Sequence, residues 1–185
     1  TNITTGIRNV MIGSYNRGAA ADSTNSIVIG YNVAGVNDAM SFGNAGTDSR
    51  IAFGATSITA PSDMRLKEDI QDEIIGLDFL NELRPVTFLW KKEKDIPSEL
   101  KSHKKDSEKR VMNGKYNHGF IAQEVKATID KYGLKEGFDM WQEDDSDGRQ
   151  RIAPSAAVPL IIKAIQELSE QNKKLKEEID ELKNK

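Results

Sequence analysis

Four short apolar runs recur in the first third of the chain, and each ends in glycine. They occupy residues 10–13, 27–30, 40–43 and 51–54. Within each run two apolar residues alternate with a third residue, which places both apolar side chains on one face of a β-strand. The closing glycine allows a turn or a close approach of two backbones. The pattern predicts four short strands separated by loops rich in Asn, Ser, Gly and Asp.

Strands of this length cannot bury a core by themselves. Stacked repeats within one chain would supply the missing cover, as in solenoids, and three interwound chains would supply it between subunits. The glycines are unevenly spaced in the sequence, which keeps an ordinary small β domain as a third possibility. The hydrophobic pattern leaves these three arrangements open.

The C-terminal segment has a different period, alternately four and three residues, which is the heptad repeat of a coiled coil. An isolated helix of this length is marginal in water, so a partner must cover its stripe. We therefore predict a coiled-coil helix over residues 158–185 and an oligomeric protein. The heptad positions are Ile161, Ile165, Leu168, Asn172, Leu175, Ile179 and Leu182.

The stoichiometry of that coiled coil stays open at the level of the sequence. Ile at a, Leu at d and a buried Asn172 favour a parallel dimer, whereas a neighbouring trimeric domain would override these rules. The first part of the helix, to about Ala164, has the alternative of packing on its own domain.

The middle of the chain predicts an α+β domain. Helical spacing over residues 72–83 points Ile74, Ile75, Leu77 and Leu80 inward, and Pro85 ends this helix. The other predicted elements are a strand at 86–90, a polar mobile loop at 91–117, a helix at 120–132 and a hairpin formed by 140–142 and 150–152.

Charge divides the chain sharply. Residues 1–61 hold only 6 of the 55 charged residues but 8 of the 14 glycines. We therefore predict a repetitive β fibre stalk at 1–61, an α+β domain at 62–157 and the coiled-coil helix at 158–185. Because the chain has no initiator Met, we interpret it as a piece of a longer protein.

Several functional classes are disfavoured by composition. The chain has no cysteine, a net charge of −3 and no apolar run long enough for a membrane span. We expect neither a nucleic-acid nor a membrane partner. Glu143, Asp145 and Asp147 imitate the start of a calcium loop but lack its final Glu. His103 and His118 have no accompanying ligands, so no metal or cofactor is expected.

A candidate site for covalent chemistry lies at the composition break. On spacing alone, Ser62 caps a short helix and Lys67 is a surface charge. Residues five apart lie roughly 140° apart on a helix and on opposite faces of a strand. A Ser62–Lys67 pair therefore needs a turn between its members.

Four blocks resemble, in order, the intramolecular chaperone auto-processing domain of phage tail spikes, tail fibres, neck appendages and endosialidases. They are residues 62–70 (SDMRLKEDI), 83–90 (LRPVTFLW), 119–125 (GFIAQEV) and 159–168 (PLIIKAIQEL). In addition, residues 25–30 resemble repeats of trimeric bacterial adhesin heads and phage fibre stalks.

This resemblance implies a self-cleaving serine endopeptidase with a Ser-Lys dyad. Ser62 would be the nucleophile, Lys67 its general base, and the bond between Pro61 and Ser62 the one that is cut. A lysine accepts a proton only when neutral, a state that burial or a nearby cation favours. Arg65 is a candidate for that cation, with pairing to a carboxylate as the alternative.

Three further residues match the family motifs in supporting positions. Asp63 lies beside the proposed nucleophile, and Gln123 and Glu124 fall in the third block. The sequence assigns neither Gln123 nor Glu124 a chemical role.

The resemblance also implies partners and a location. The chaperone would form a homotrimer, align the upstream fibre of the same protein and leave in the host cytoplasm, while the fibre stays on the virion and meets the host cell surface. The alternatives are a trimerisation cap that never cleaves and a receptor-binding fibre tip. ATP-linked cleavage, found in some neck-appendage relatives, is a minor alternative because the chain has no nucleotide motif.

Overall fold

The computed structural model describes residues 3–134, 137–144 and 146–184. It contains two compact units, residues 1–70 and 71–185, which are described separately here. Asp145, a member of the dismissed calcium pattern, lies outside the described residues.

The first unit is built around one four-stranded sheet. Its strands are β1 (Val10–Ser14), β2 (Ser26–Tyr31), β3 (Ala39–Asn44) and β4 (Ser49–Ala52), in that spatial order. The first three strands are parallel and the fourth is antiparallel to β3. The short connection at residues 45–48 explains the change of direction, since parallel neighbours require a longer crossover. A strand is therefore present at each of the four predicted runs, although β4 begins two residues earlier than its run and ends at Ala52, before Phe53 and Gly54.

The glycines that look unevenly spaced in the sequence are aligned in the sheet. Gly13, Gly30 and Gly43 are register partners across the three parallel strands. All three have a positive φ, between 113° and 136°. A Cβ atom on Gly30 would lie 1.9 Å from the carbonyl oxygen of Gly43. Only glycine fits, and the loops of different length absorb the uneven spacing.

Two more backbone positions recur in each of the three parallel strands. The first lies two residues before the partnered residues Val10, Ile27 and Met40, and the second lies two residues after the aligned glycine. Both positions have left-handed φ values, between 38° and 61°. The sequence hides this repeat because only some positions carry Asn or Asp, the residues that favour such a conformation. The residues are Arg8, Asn25 and Asp38, then Tyr15, Asn32 and Ala45.

The two faces of this sheet have opposite characters. The inner face, covered by the loops of the same chain, buries small side chains such as Ser26, Val28, Ala39 and Ser41. Arg50 ties a loop over it, since its Nε donates to Ser41 Oγ and its Nη2 to the Ala34 carbonyl. The outer face carries the alternating apolar residues of the predicted strands. Its members are Val10, Ile12, Ile27, Ile29, Met40, Phe42 and Ile51.

The second unit has the mixed α+β content predicted for the middle of the chain, together with a long C-terminal helix. Its helices are α1 (Leu77–Glu82), α2 (Ala122–Lys131) and α3 (Val158–Lys183). Two antiparallel pairs complete it: β5 (Val86–Phe88) with β6 (Asn117–Gly119), and β7 (Trp141–Glu143) with β8 (Gln150–Ile152). The predicted hairpin is thus β7–β8.

The core of this unit forms around Phe79, which is fully buried. Its ring makes edge-to-face contacts with Tyr132 and Phe138 at 5.4 and 6.0 Å between centroids. Val125, Ile129, Met140, Ala157 and Leu160 complete the buried cluster. This cluster joins α1, α2 and α3.

The first helix is shorter than predicted, and its inward residues differ. Gly76 is not helical, so α1 begins at Leu77, and Ile74 is 81% exposed instead of inward. A distant contact sets this start, because the Glu167 carboxylate accepts a hydrogen bond from the Leu77 N–H at 2.8 Å. A Cβ atom on residue 76 would lie 2.6 Å from that carboxylate. Local periodicity cannot reveal a contact 90 residues away.

The polar segment at residues 91–117, predicted as a mobile loop, is held together by hydrogen bonds between its own residues. Lys92 and Arg110 form an isolated antiparallel bridge. Glu93 accepts from Lys104 Nζ at 2.7 Å and from Ser107 Oγ at 2.6 Å. The preceding strand ends at Phe88, two residues earlier than predicted.

The long helix α3 presents two different stripes. Leu160 and Ala164 pack into the core of the unit, whereas the apolar heptad positions from Ile161 to Leu182 are all exposed. At 100° per residue, the heptad stripe lies roughly a quarter turn from the buried one. The helix therefore packs on its own domain and still leaves the heptad stripe open. Among the described residues, no helix is both long and apolar enough to cross a bilayer.

Replacing Gly30 with alanine should destabilise the first unit by about 2 kcal/mol or more, because the positive φ and the Gly43 oxygen both reject a side chain. Gly46→Ala is the matched control, since a Cβ there meets nothing within 4 Å. Denaturant unfolding of both variants, followed by hydrogen exchange in β1–β3, measures the difference. Equal stability of the two variants would contradict the aligned-glycine packing.

Candidate active site

Hydrogen bonds to β4 hold the backbone just before the segment that carries Ser62. Arg50, on β4, pairs with Thr59 through two backbone hydrogen bonds of 2.8 and 2.7 Å. The Thr59 hydroxyl adds a third, to the Arg50 carbonyl at 3.1 Å. The backbone is therefore held two residues before Pro61.

A single turn follows and brings Ser62 and Lys67 together. Residues Met64–Leu66 form a 3-10 helix whose N-cap is Asp63, and the Asp63 carboxylate accepts from the Arg65 N–H at 2.9 Å. The Lys67 N–H donates to the Met64 carbonyl at 3.1 Å, which closes the turn. Lys67 Nζ then lies 2.8 Å from Ser62 Oγ. The turn that the five-residue spacing requires is thus present.

Arg65 pairs with the carboxylate beside it. Its Nε lies 3.0 Å and its Nη2 2.5 Å from the oxygens of Asp63. These hydrogen bonds lower the pKa of the Asp63 carboxyl and raise the pKa of the Arg65 guanidinium. Of the two roles considered for Arg65, the structure has the pairing with a carboxylate. The ion pair supports the turn through the N-cap.

The whole segment is open to solvent in the single chain. Residues 61–74 are all exposed, including the large apolar side chains of Met64, Leu66 and Ile70. With its proton, the Lys67 ammonium donates to the Ser62 hydroxyl. To act as a base it must first lose that proton, which desolvation favours. Lys67 Nζ and Ser62 Oγ are thus within hydrogen-bond distance on an exposed segment of the single chain.

Gln123 and Glu124 lie in the other unit, in the first turn of α2, and both are exposed. The structure pairs Glu124 with Arg84 through hydrogen bonds of 3.0 and 2.5 Å. This pairing raises the pKa of the Arg84 guanidinium. Sequence reasoning missed Arg84, although it stands beside Pro85 in the second of the four blocks. Its pairing with Glu124, 40 residues further along the chain, links the second and third motif blocks.

Among the described residues, no group of three or more His, Asp or Glu side chains is arranged to hold a metal ion. The chain contains no cysteine.

Residues 62–134 match the family model described as chaperone of endosialidase. This match begins at Ser62 and includes Lys67, Arg84, Gln123 and Glu124. It supports the predicted intramolecular chaperone domain over these residues, while residues 1–61 and residues 135–185, with the fourth motif block, lie outside it. No curated protein and no solved structure matched the chain.

Changing Arg65 to glutamine should raise the pKa of the Asp63 carboxyl toward its ordinary value, because the guanidinium that stabilises the carboxylate is removed. Carboxyl-detected NMR titration of Asp63 measures the shift. Arg84→Gln removes a comparable exposed cation that pairs with Glu124, and it should leave the pKa of Asp63 unchanged. An unchanged Asp63 pKa in the Arg65 variant would contradict the pairing.

Proposed function

We propose, because residues 62–134 match the family described as chaperone of endosialidase, that this domain aligns three copies of the chain and then releases itself. Release would occur by cleavage of the bond between Pro61 and Ser62. The observation that carries the proposal is the 2.8 Å approach of Lys67 Nζ to Ser62 Oγ, at the first residue of the family match.

The chemistry follows from that pair. Neutral Lys67 takes the proton of the Ser62 hydroxyl, and Oγ attacks the carbonyl carbon of Pro61. The bond between the Pro61 carbon and the Ser62 nitrogen breaks as Lys67 returns the proton to that nitrogen. The products of this step are an ester on Ser62 Oγ and a free Ser62 amine. Water then hydrolyses the ester, which leaves a Pro61 carboxylate and restores the hydroxyl.

Assembly supplies the missing desolvation in this proposal. The dyad and the apolar residues Met64 and Leu66 are exposed in one chain, and the heptad stripe of α3 is exposed as well. A homotrimer held by α3 would cover these surfaces, exclude water from Lys67 and so favour its neutral form. Cleavage would then occur only in chains that have assembled correctly.

A fibre has a physical need for such a device. Pairing between three chains is non-local, so it is slow, and a one-residue slip of a strand turns its apolar side chains to the wrong face. A C-terminal clamp raises the local concentration of the chain ends and fixes their register. Once the clamp has been removed, a fibre that unfolded could not refold by the same route, so the fibre is stabilised kinetically.

The proposal extends to partners and place. The chaperone part would act on the upstream fibre of the same protein and remain in the host cytoplasm after release. The fibre part would stay on the virion, as a tail fibre or appendage, and meet the host cell surface. These assignments rest on the family resemblance and on the fibre-like repeats of the first unit.

The wild-type chain should separate into fragments of 61 and 124 residues without added ATP. Ser62→Ala removes the nucleophile and Lys67→Met removes the base, so both should stay intact, with cleavage reduced by at least about a thousandfold. Lys105→Met, an exposed lysine outside the site, is the control and should cleave normally. Intact-mass spectrometry under denaturing conditions measures all four proteins.

Full-length wild type under conditions where it is oligomeric would contradict the cleavage proposal. That result would favour a trimerisation cap that never cleaves. Cleavage of the Ser62→Ala variant at the same bond would contradict the assignment of the nucleophile.

Cleavage should also depend on the heptad stripe of α3. Leu175→Lys places a charge on the stripe and should both dissociate the oligomer and slow cleavage at least about tenfold. Glu177→Lys adds the same side chain on the opposite side of the helix, and it should change neither property. Native mass spectrometry and a cleavage time course test both variants. Normal cleavage by a monomeric Leu175→Lys protein would contradict the link between assembly and activity.

A further inference from the structure

We infer that Asn113 is a site of spontaneous deamidation, in which the backbone nitrogen of Gly114 attacks the Asn113 side-chain amide and ammonia leaves. Asn113 is the only asparagine of the chain that a glycine follows. The pair lies in the second unit, in the polar segment that leads into β6, and both residues are exposed. The inference concerns this segment alone and does not depend on the proposed cleavage.

The attacking nitrogen is open to approach. The Gly114 N–H donates no hydrogen bond to any residue that the structure describes, so no such bond has to break before the nitrogen loses its proton. A Cβ atom at this position would meet nothing within 4 Å. Because glycine has no side chain, its nitrogen is unshielded and the backbone can rotate toward the Asn113 amide. The Gly148 N–H, by contrast, donates to the Asp144 carbonyl at 2.9 Å.

Two hydrogen-bond donors lie on the oxygen where negative charge would develop. Asn113 Oδ1 accepts from the Lys115 N–H at 3.0 Å and from Asn117 Nδ2 at 3.2 Å. When the Gly114 nitrogen adds to Asn113 Cγ, this oxygen becomes an oxyanion, and the two donors stabilise it. In return, Asn113 Nδ2 donates to Asn117 Oδ1 at 3.2 Å, which holds the side-chain amide in one orientation.

The reaction balances with water as its co-reactant. Hydroxide removes the Gly114 amide proton, and the nitrogen forms a bond to Asn113 Cγ. The bond from Cγ to Nδ2 breaks as Nδ2 takes up a proton from water and leaves as ammonia. The product is a cyclic succinimide. Water then opens the ring at Cγ, which gives aspartate, or at the main-chain carbonyl carbon, which gives isoaspartate. Both products carry a new negative charge.

The modification would change the connection into β6. A carboxylate at position 113 keeps an acceptor for the Lys115 N–H but loses the donor that bonds to Asn117 Oδ1. Isoaspartate also adds a methylene group to the main chain between residues 113 and 114. Asn117 is the first residue of β6 and the register partner of Phe88 in β5. The altered bonds therefore lie at the start of this strand pair.

Incubation of the full chain at mildly acid and mildly alkaline pH, followed by tryptic peptide mapping, tests the inference. Trypsin releases residues 111–115, and an isoaspartyl-specific methyltransferase labels the isoaspartate product. The conversion rate should rise about tenfold for each pH unit, because the deprotonated nitrogen is the attacking species. Gly114→Ala is the matched control. Its methyl group fits the open space, shields the nitrogen, and should slow conversion at least about tenfold.

A second variant tests the assistance from the neighbouring amide. Asn117→Ala removes one of the two donors to Asn113 Oδ1 and should slow conversion at least about threefold. A wild-type rate no faster than that of Gly114→Ala would overturn the inference. An unchanged rate in Asn117→Ala would overturn the role assigned to its amide. The same peptide maps report cleavage between Pro61 and Ser62, so the outcome for the proposed function is read separately.

Discussion

A single copy of this chain leaves apolar surface in water at three places: the outer face of the sheet, the segment around Ser62, and the heptad stripe of α3. Burial of apolar surface is the main favourable term in folding and in association. Each unit has a small core of its own, around Val28 and Val33 in the first and Phe79 in the second. The exposed surfaces are therefore additions to those cores, and in the proposed function self-association covers them.

The same constraint gives the dyad its proposed control. Thr59 is held on β4, one turn follows, and Lys67 reaches Ser62 without help from another chain. The contact between Lys67 Nζ and Ser62 Oγ is thus present in one copy, while in the proposed function the desolvation that a lysine base needs comes from assembly. In our account, separating these two requirements makes assembly the switch. The two side chains are already in contact before assembly, so in this account assembly has to exclude water from the dyad and does not have to move a catalytic residue into place.

The sequence predicted local features well and distant contacts poorly. Alternation and glycine placed the four strands of the first unit, and the heptads placed the open stripe of α3. Periodicity failed at Ile74, because Glu167 starts α1 at Leu77 from 90 residues away. It also missed which face of the sheet is buried, since the loops that cover the inner face have no periodic signal. The motif blocks located Ser62, Lys67 and Glu124, but the pairing of Glu124 with Arg84 depends on the fold.

The central claim is that assembly activates the cleavage of the bond between Pro61 and Ser62. The most direct measurement is the initial cleavage rate per chain over a dilution series, with the oligomeric state of each sample followed by native mass spectrometry. The account predicts that the rate per chain falls steeply as the protein becomes monomeric and is constant once it is fully assembled. A rate per chain that stays unchanged in samples shown to be monomeric would contradict it.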